Sequence, residues 1–379
     1  MRILHLAKYY WPRSGGMERV IQALAEGAAA MGHEVGVIAV ERLGGGGAAK
    51  RNRTLVTRAF SIGGLGSAEI APGYIPAAWR RADIIHVHHP HPLADVATLL
   101  RAGTAPIVVT QHADAHRWAY RQVARLVLGR ADAVVVPSRS HLALSQELVG
   151  FESKVEVIPF GIDEARWTLV PPPAPGNHPR ALFMGRLVRY KGVDILLRAL
   201  ELVPDLRLDI VGSGPEMARL KTLARALAVS DRVRWFGEQP DDAVARRMAD
   251  ADFLVLPSVS AQEMFGLVVL EAMAAGRPVV TTAIPTAVRE VNVPGVTGLE
   301  VPIRDVGGLA TAMDALARDP ELRRRMGEAG RERVRLQFSR RLMVERHLAL
   351  YTRLRQGLFM PQPAGVPRAV TEPSASSGP

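Results

Sequence analysis

Val170-Pro171-Pro172-Pro173-Ala174-Pro175-Gly176-Asn177-His178-Pro179 divides this chain into two series of alternating strand and helix signals. Proline fixes φ and carries no amide N–H, so the segment reads as a stiff, extended linker. Upstream of it, strands are expected at 2–7, 34–40, 83–87, 106–110, 132–136 and 154–158. Gly15-Gly16 ends the first strand, and a helix over 17–31 follows, with Val20, Ala23, Leu24, Gly27, Ala28 and Met31 on one face. Downstream, strands are expected at 180–184, 206–211, 232–236, 252–256, 278–281 and 299–301, with a long helical pair over about 306–354. Such alternation argues for parallel sheets wound by helices, an α/β architecture. The halves echo each other: Ala131-Asp132-Ala133-Val134-Val135-Val136-Pro137-Ser138 matches Ala251-Asp252-Phe253-Leu254-Val255-Leu256-Pro257-Ser258. Residues 361–379 are rich in Pro, Ser and Gly and read as a disordered tail.

The length of 379 residues suits two domains, and the 48% hydrophobic content supplies their cores. The absence of cysteine excludes disulfides, thiolate catalysis and Cys-ligated zinc. The apolar run at the N-terminus is short for a signal peptide, and no stretch reaches the roughly 18 apolar residues of a membrane span. The chain therefore reads as cytoplasmic, peripheral at the inner face of a membrane at most. Its net charge of +11 matches an anionic partner or a solvated arginine-rich surface equally well.

Chemistry concentrates after the second-half strands. Glu263-Met264-Phe265-Gly266-Leu267-Val268-Val269-Leu270-Glu271 sets a carboxylate at each end of an apolar run. Unpaired buried charge is costly, so each carboxylate is expected to meet a polar partner in a cleft; sugar or ribose hydroxyls suit an acceptor-only group. Gly266-Leu267 opens a helix whose free N–H groups attract phosphate. Gly185-Arg186 and Lys191-Gly192 place two cations at a strand end, either an anion site or solvated loop charges. Val211-Gly212-Ser213-Gly214-Pro215 is a glycine-rich turn into a helix, without the third glycine of the dinucleotide fingerprint.

The first half is rich in histidine. His86 and His88 share a strand face, which makes metal ligation conceivable, but no further ligand pattern supports it. His112, at a strand end, is the better candidate for a cleft. Asp250-Ala251-Asp252 runs directly into a core strand and reads as structural. Arg117, Arg121 and Arg125 recur every four residues beside Trp118, and Tyr9-Tyr10-Trp11 adds aromatics before Gly15. These residues would face a membrane or an acceptor, or merely cover the core.

Taken in order, these motifs resemble the retaining GT-B glycosyltransferases of family 4, glycosyl transferases group 1. The elements that carry the resemblance are Gly15-Gly16, Pro159-Phe160-Gly161-Ile162-Asp163, Gly185-Arg186 with Lys191-Gly192, Val211–Pro215, Glu263 with Glu271, and Thr297-Gly298-Leu299 with the final helices. The resemblance covers residues 1 to about 354. It implies two Rossmann-like α/β/α domains facing each other across a cleft: an acceptor domain over 1–169, completed by a terminal helix at about 340–358, a linker over 170–179, and a nucleotide-sugar domain over 180–339.

The same resemblance implies roles. Glu263, with the backbone from Met264 through Phe265 and Gly266 to Leu267, would hold the donor sugar and distal phosphate. Glu271 would accept from the ribose. Arg186 and Lys191 would neutralise the leaving diphosphate, Gly16, Gly185, Gly212 and Gly214 would admit it closely, and His112 would lie near the reacting carbon. No cofactor or metal is implied; the nucleotide-diphosphate sugar is the donor substrate and a glycan or polyprenyl-lipid-linked molecule the acceptor, with no nucleic-acid partner. The stretch Lys8-Tyr9-Tyr10-Trp11-Pro12 resembles that of surface-polysaccharide mannosyltransferases and favours GDP-mannose. The alternatives are a UDP-sugar-dependent glucosyl or GlcNAc transferase, a nucleotide-sugar epimerase or hydrolase on this fold, and a catalytically inactive basic lipid-binding protein. Pro285-Thr286-Ala287 departs from the family's usual Pro-Glu turn.

Overall fold

The computed structural model describes residues 1–12, 15–42, 47–65, 68–115, 117–168 and 178–358. Most of the linker (170–177) and the tail over 361–379 lie outside the described residues.

The first sheet is built from β1 (Arg2–Leu6), β2 (Glu34–Glu41), β3 (Gly47–Arg51) and β4 (Thr54–Phe60). After a small hairpin, β5 (Gly63–Leu65) and β6 (Ala68–Ile70), it continues with β7 (Ile84–His89), β8 (Ile107–Gln111), β9 (Ala133–Val136) and β10 (Val155–Val157). Its strand order is β10-β9-β8-β7-β1-β2-β4-β3, parallel except for the β3–β4 pair. The second sheet comprises β11 (Arg180–Met184), β12 (Arg207–Val211), β13 (Val233–Gly237), β14 (Phe253–Leu256), β15 (Val279–Thr282) and β16 (Gly298–Val301). It is parallel throughout, in the order β13-β12-β11-β14-β15-β16. Both sheets are doubly wound, with order reversing at β1/β7 in the first and at β11/β14 in the second. Ligands of such sheets bind beyond the strand ends at these switch points.

The echo between the halves has a structural cause. Asp132 Oδ2 accepts from the Ile107 N–H at 2.7 Å, and Asp252 Oδ2 accepts from the Arg180 N–H at 2.7 Å. Each aspartate satisfies the first amide of the neighbouring strand, and Asp252 also pairs with Arg323. Asp252 thus serves the fold, as its position before a strand indicated.

The helices that position the cleft and tie the domains include α1 (Gly16–Ala30), α2 (Trp118–Arg130), α3 (Arg139–Leu144), α4 (Leu267–Ala274) and α5 (Val288–Val291). The chain then ends in α6 (Val306–Arg318), α7 (Pro320–Gln337) and α8 (Arg340–Arg355). The expected terminal pair is thus three helices. Asp319 ends α6 and caps α7 by accepting from the Leu322 N–H, with Pro320 at the first position, and Ser339 caps α8 in the same way. The last helix, α8, packs back on α1 of the first domain. A Cβ at Gly27 would stand 2.6 Å from Val344 Cγ2, so only glycine admits that approach.

Sequence reasoning missed β3, β4 and the hairpin. β3 is an edge strand with its residues exposed or half-buried, and so carries no apolar alternation. Tyr10, expected at an acceptor or membrane surface, is instead buried in the core. Arg125 is likewise committed internally: its guanidinium donates to the carbonyls of Glu147 and Val149, both at 2.9 Å, and stacks on Phe151. Arg121 is half-buried, with its Nε buried. Of that row, Arg117 and Trp118 stand exposed, and Trp11 is exposed under the Arg51 guanidinium.

Candidate active site

The two switch points face each other and enclose a cavity of about 810 Å³. The turn before α1 contributes Gly15 and Gly16 from the first domain, and the β8 end contributes His112. From the second domain come Gly185, Arg186 and Lys191 after β11, Gly212 and Gly214 after β12, and the stretch from Glu263 to Leu267 with Glu271 after β14. The structure thus brings together every residue expected to hold the donor or its leaving group. Tyr10, Arg117, Trp118, Arg121 and Arg125 do not line this cavity, and Trp11 lines a neighbouring one.

Local backbone explains the glycines. Gly212 has φ +125°, and a Cβ there would stand 2.0 Å from the Gly185 carbonyl oxygen. Gly266 has φ +71° and ends the turn into α4, leaving that helix's first N–H groups toward the cavity. The α1 start at Gly16 opposes it, with Leu267 Cδ1 3.8 Å from where a Gly16 Cβ would sit. Two helix N-termini and two cations therefore surround one space, an arrangement that favours a polyanion.

Each carboxylate of the apolar run has found a cationic partner. Lys191 Nζ donates to Glu263 Oε2 in a buried ion pair, and Ser258 Oγ donates to the same oxygen at 3.0 Å. Glu271 is buried, which raises its pKa, and Arg19 Nη1 reaches across the cleft to donate to Oε1 at 2.7 Å. Arg19 also lies 3.5 Å from Asp241. Sequence reading missed Arg19. Its place in the first turn of the helix after Gly15-Gly16 was the available signal, but its partner is distant in sequence. His112 is buried and stacks on Phe160, with ring centroids 5.1 Å apart, and burial holds its pKa at about 3, so it is neutral.

Two family profiles match the chain. Glycosyltransferase Family 4 matches residues 14–166, and Glycosyl transferases group 1 matches residues 169–333. The O-antigen chain mannosyltransferase C of Escherichia coli is 30% identical over 373 residues, covering 93% of this chain and 99% of that protein. This chain belongs to glycosyltransferase family 4. A GDP-mannose-dependent alpha-(1-6)-phosphatidylinositol monomannoside mannosyltransferase of Mycolicibacterium smegmatis is 34% identical over 262 residues, 63% of this glycosyltransferase and 68% of that one. Among solved structures, sucrose-phosphate synthase from Thermosynechococcus elongatus superposes with a TM-score of 0.80 at 23% identity, over 94% of this chain and 100% of that one. The fold is GT-B, and the chain is a hexosyltransferase.

Proposed function

We propose that this glycosyltransferase moves a mannosyl group from GDP-mannose, with retention of anomeric configuration, onto a lipid-linked or surface-glycan acceptor. The observation that carries the reading is the placing of Arg186, Lys191, Glu263 and Glu271 around one cavity between two opposed helix starts. The diphosphate would lie between Gly16 and the α4 start, with Arg186 and Lys191 on its oxygens. Glu271 would turn from Arg19 to the ribose hydroxyls, and Glu263 would face the hexose.

When the sugar–phosphate bond breaks, its electron pair leaves with the phosphate oxygen and the sugar becomes oxocarbenium-like. Fixed cations and helix N–H groups stabilise the growing negative charge where it develops. The acceptor hydroxyl attacks from the face the phosphate leaves, and its proton passes to the departing phosphate oxygen. Arginine and lysine supply the charge compensation, so the step is proposed to be metal-independent. Glu263 is engaged by Lys191 and Ser258 and is not assigned as a nucleophile.

The mannosyl preference rests on the names of the relatives, one a mannosyltransferase and one GDP-mannose-dependent. The enzyme itself is read as cytoplasmic and peripheral at the anionic inner face of a membrane. The exposure of Arg117 and Trp118 supports that reading, and no described helix is long and apolar enough to cross a bilayer. A panel of nucleotide sugars tests the donor by protection against heat unfolding, since ligand at about 100 times its Kd adds about 2.7 kcal/mol. GDP-mannose is expected to protect most; greater protection by UDP-glucose or UDP-GlcNAc overturns the donor assignment. The anomeric configuration of the product, read by NMR, tests retention. Flotation with anionic against neutral vesicles tests the membrane surface.

A further inference from the structure

A string of buried imidazoles runs behind the cavity, and the transfer chemistry leaves it unused. His5 on β1 lies opposite His86 on β7 in register, and alternate residues share a strand face, so His88 joins them. All three are fully buried, with ring centroids 4.4–5.3 Å apart. His5 Nδ1 lies 3.0 Å from His88 Nε2, and His88 Nδ1 lies 3.1 Å from Nε2 of His112. A hydrogen-bonded line therefore leads from the middle of the first sheet to the cavity wall.

Burial keeps the line uncharged, holding His5 and His112 at about 3 and His88 well below the ordinary histidine range. A neutral imidazole has one N–H and one lone pair, so two linked bonds can run in only two directions. The far end selects between them. His5 Nε2 is buried without a partner among the described residues. An orphaned buried N–H is rarer in folded proteins than an under-used acceptor. Although buried His91 has no partner at either ring nitrogen among the described residues, His347, nearby on α8, resolves the same choice in that way. Its Nδ1 lies 2.8 Å from the Met343 carbonyl and must donate there, which leaves a bare lone pair on the partnerless Nε2. His5 therefore holds its proton on Nδ1 and donates to His88, and His88 donates from Nδ1 to His112 Nε2. The remaining proton of His112 sits on Nδ1.

We propose that His5 and His88 are positioning residues that set the tautomer of His112, so that its free ring nitrogen, Nδ1, offers a hydrogen-bond donor to the sugar donor in the cavity. The group His112 meets is then an acceptor: a hexose hydroxyl or ring oxygen, or a phosphate oxygen. His112 does not serve as the base for the incoming hydroxyl. The occupant of the cavity rests on the transferase reading, but the tautomer does not. The nitrogens of His5, His86 and His88 also lie close enough to share an ion. However, His86 already meets Tyr351 Oη at 2.5 Å and Thr110 Oγ1 at 2.7 Å, and His88 is bonded at both nitrogens.

The test is long-range nitrogen–proton correlation NMR on the full chain labelled with ¹⁵N-histidine, with His112 assigned by the signal lost in His112→Gln. The expected spectrum has a pyrrole-type Nδ1 and a pyridine-type Nε2 for His112. In His88→Leu, His112 should populate both tautomers, and kcat should fall about 10- to 100-fold, by analogy with the loss of outer-shell partners of metal-bound imidazoles, with KM for the donor little changed. His88→Asn, whose amide can donate from near the Nδ1 position, should restore the tautomer and most of the turnover. An Nε2-protonated His112 in the parental protein overturns the proposal, whether or not the variants fold. So does a shifted tautomer in His88→Leu without loss of turnover, or joint movement of the His5, His86 and His88 signals on adding zinc. If the parental protein turns over no nucleotide sugar, the transferase reading fails while the spectrum still judges the tautomer.

Discussion

Lys191 and Glu263 form a buried ion pair beside the space proposed for the diphosphate, so on that proposal each side chain exchanges its partner when the donor binds. Removing one member strands the other charge, which typically costs about 3–5 kcal/mol. Removing a fixed cation from a developing anion typically costs about 10²–10³ in kcat. Lys191→Ala should therefore lower both turnover and the urea midpoint. Adding Glu263→Ala should recover much of the midpoint, because no lone carboxylate remains buried, without recovering turnover. Parental rates in Lys191→Ala would remove the lysine from the reaction, and a double variant no more stable than the single would show that the pair is uncoupled.

At the level of single elements, β7 carries opposed titrations on its two faces. His86 and His88 are neutral in the fold because burial depresses them. His89, on the other face, is also buried, but Asp95 and Glu147 outweigh that burial and lift it to about 9. Its Nδ1 bonds Asp95 Oδ1 at 3.3 Å, and its Nε2 lies at ion-pair distance, 3.3 Å, from Glu147 without hydrogen-bond geometry. A raised folded pKa gives stability that is complete below the unfolded value of about 6.5 and lost as pH rises through about 9. The shift amounts to on the order of 3 kcal/mol. The depressed histidines act in the opposite sense, with stability complete above about 6.5 and lost as pH falls toward about 3. Urea midpoints should therefore peak near neutral pH and fall on both sides. In His89→Gln the alkaline fall should shrink, and an unchanged alkaline limb would mean that His89 is not charged in the fold. Much of this element was legible: alternation placed His86 and His88 together, and the strand end marked His112. Nothing in the local pattern disclosed that Asp95 and Glu147 would converge on His89. Elsewhere, Asp319-Pro320 carried a plain helix-start signal inside the expected helical pair, whereas Tyr10 was misread because an aromatic loop looks the same whether it grips a ligand or fills a core.

Across the whole molecule, the two domains are tied on both sides of the cleft. On one side Arg19 bonds Glu271 and approaches Asp241, which Arg166 also holds at 2.9 Å. On the other, Glu290 on α5 accepts from the N–H and hydroxyl of Ser140 at 2.7 and 2.5 Å, complementing the start of α3. Alternation of strand and helix signals indicated two parallel sheets, without β3, β4 or the strand orders, and these ties join residues too far apart in the chain for any local reading. At about 1 kcal/mol for each of these part-buried contacts, losing both ties should cost about 2 kcal/mol and shift an open–closed balance roughly 30-fold. Arg19→Ala with Glu290→Ala should enlarge the radius of gyration in X-ray scattering and raise KM for the donor. Saturating nucleotide sugar should restore the parental radius. An unchanged radius and KM would show that neither contact holds the cleft shut.

The packing of α8 on α1 bears on how the protein is made. The first domain emerges from the ribosome early, yet the helix that covers α1 follows only after the whole second sheet and its helices. Until then the α1 face at Gly27 lacks the cover that Val344 and its neighbours supply, and a sticky half-dressed lobe must wait while the second domain is made. A stop codon before Arg340 should therefore yield an aggregating product rather than a smaller soluble enzyme, and chaperone dependence should end only when α8 has docked.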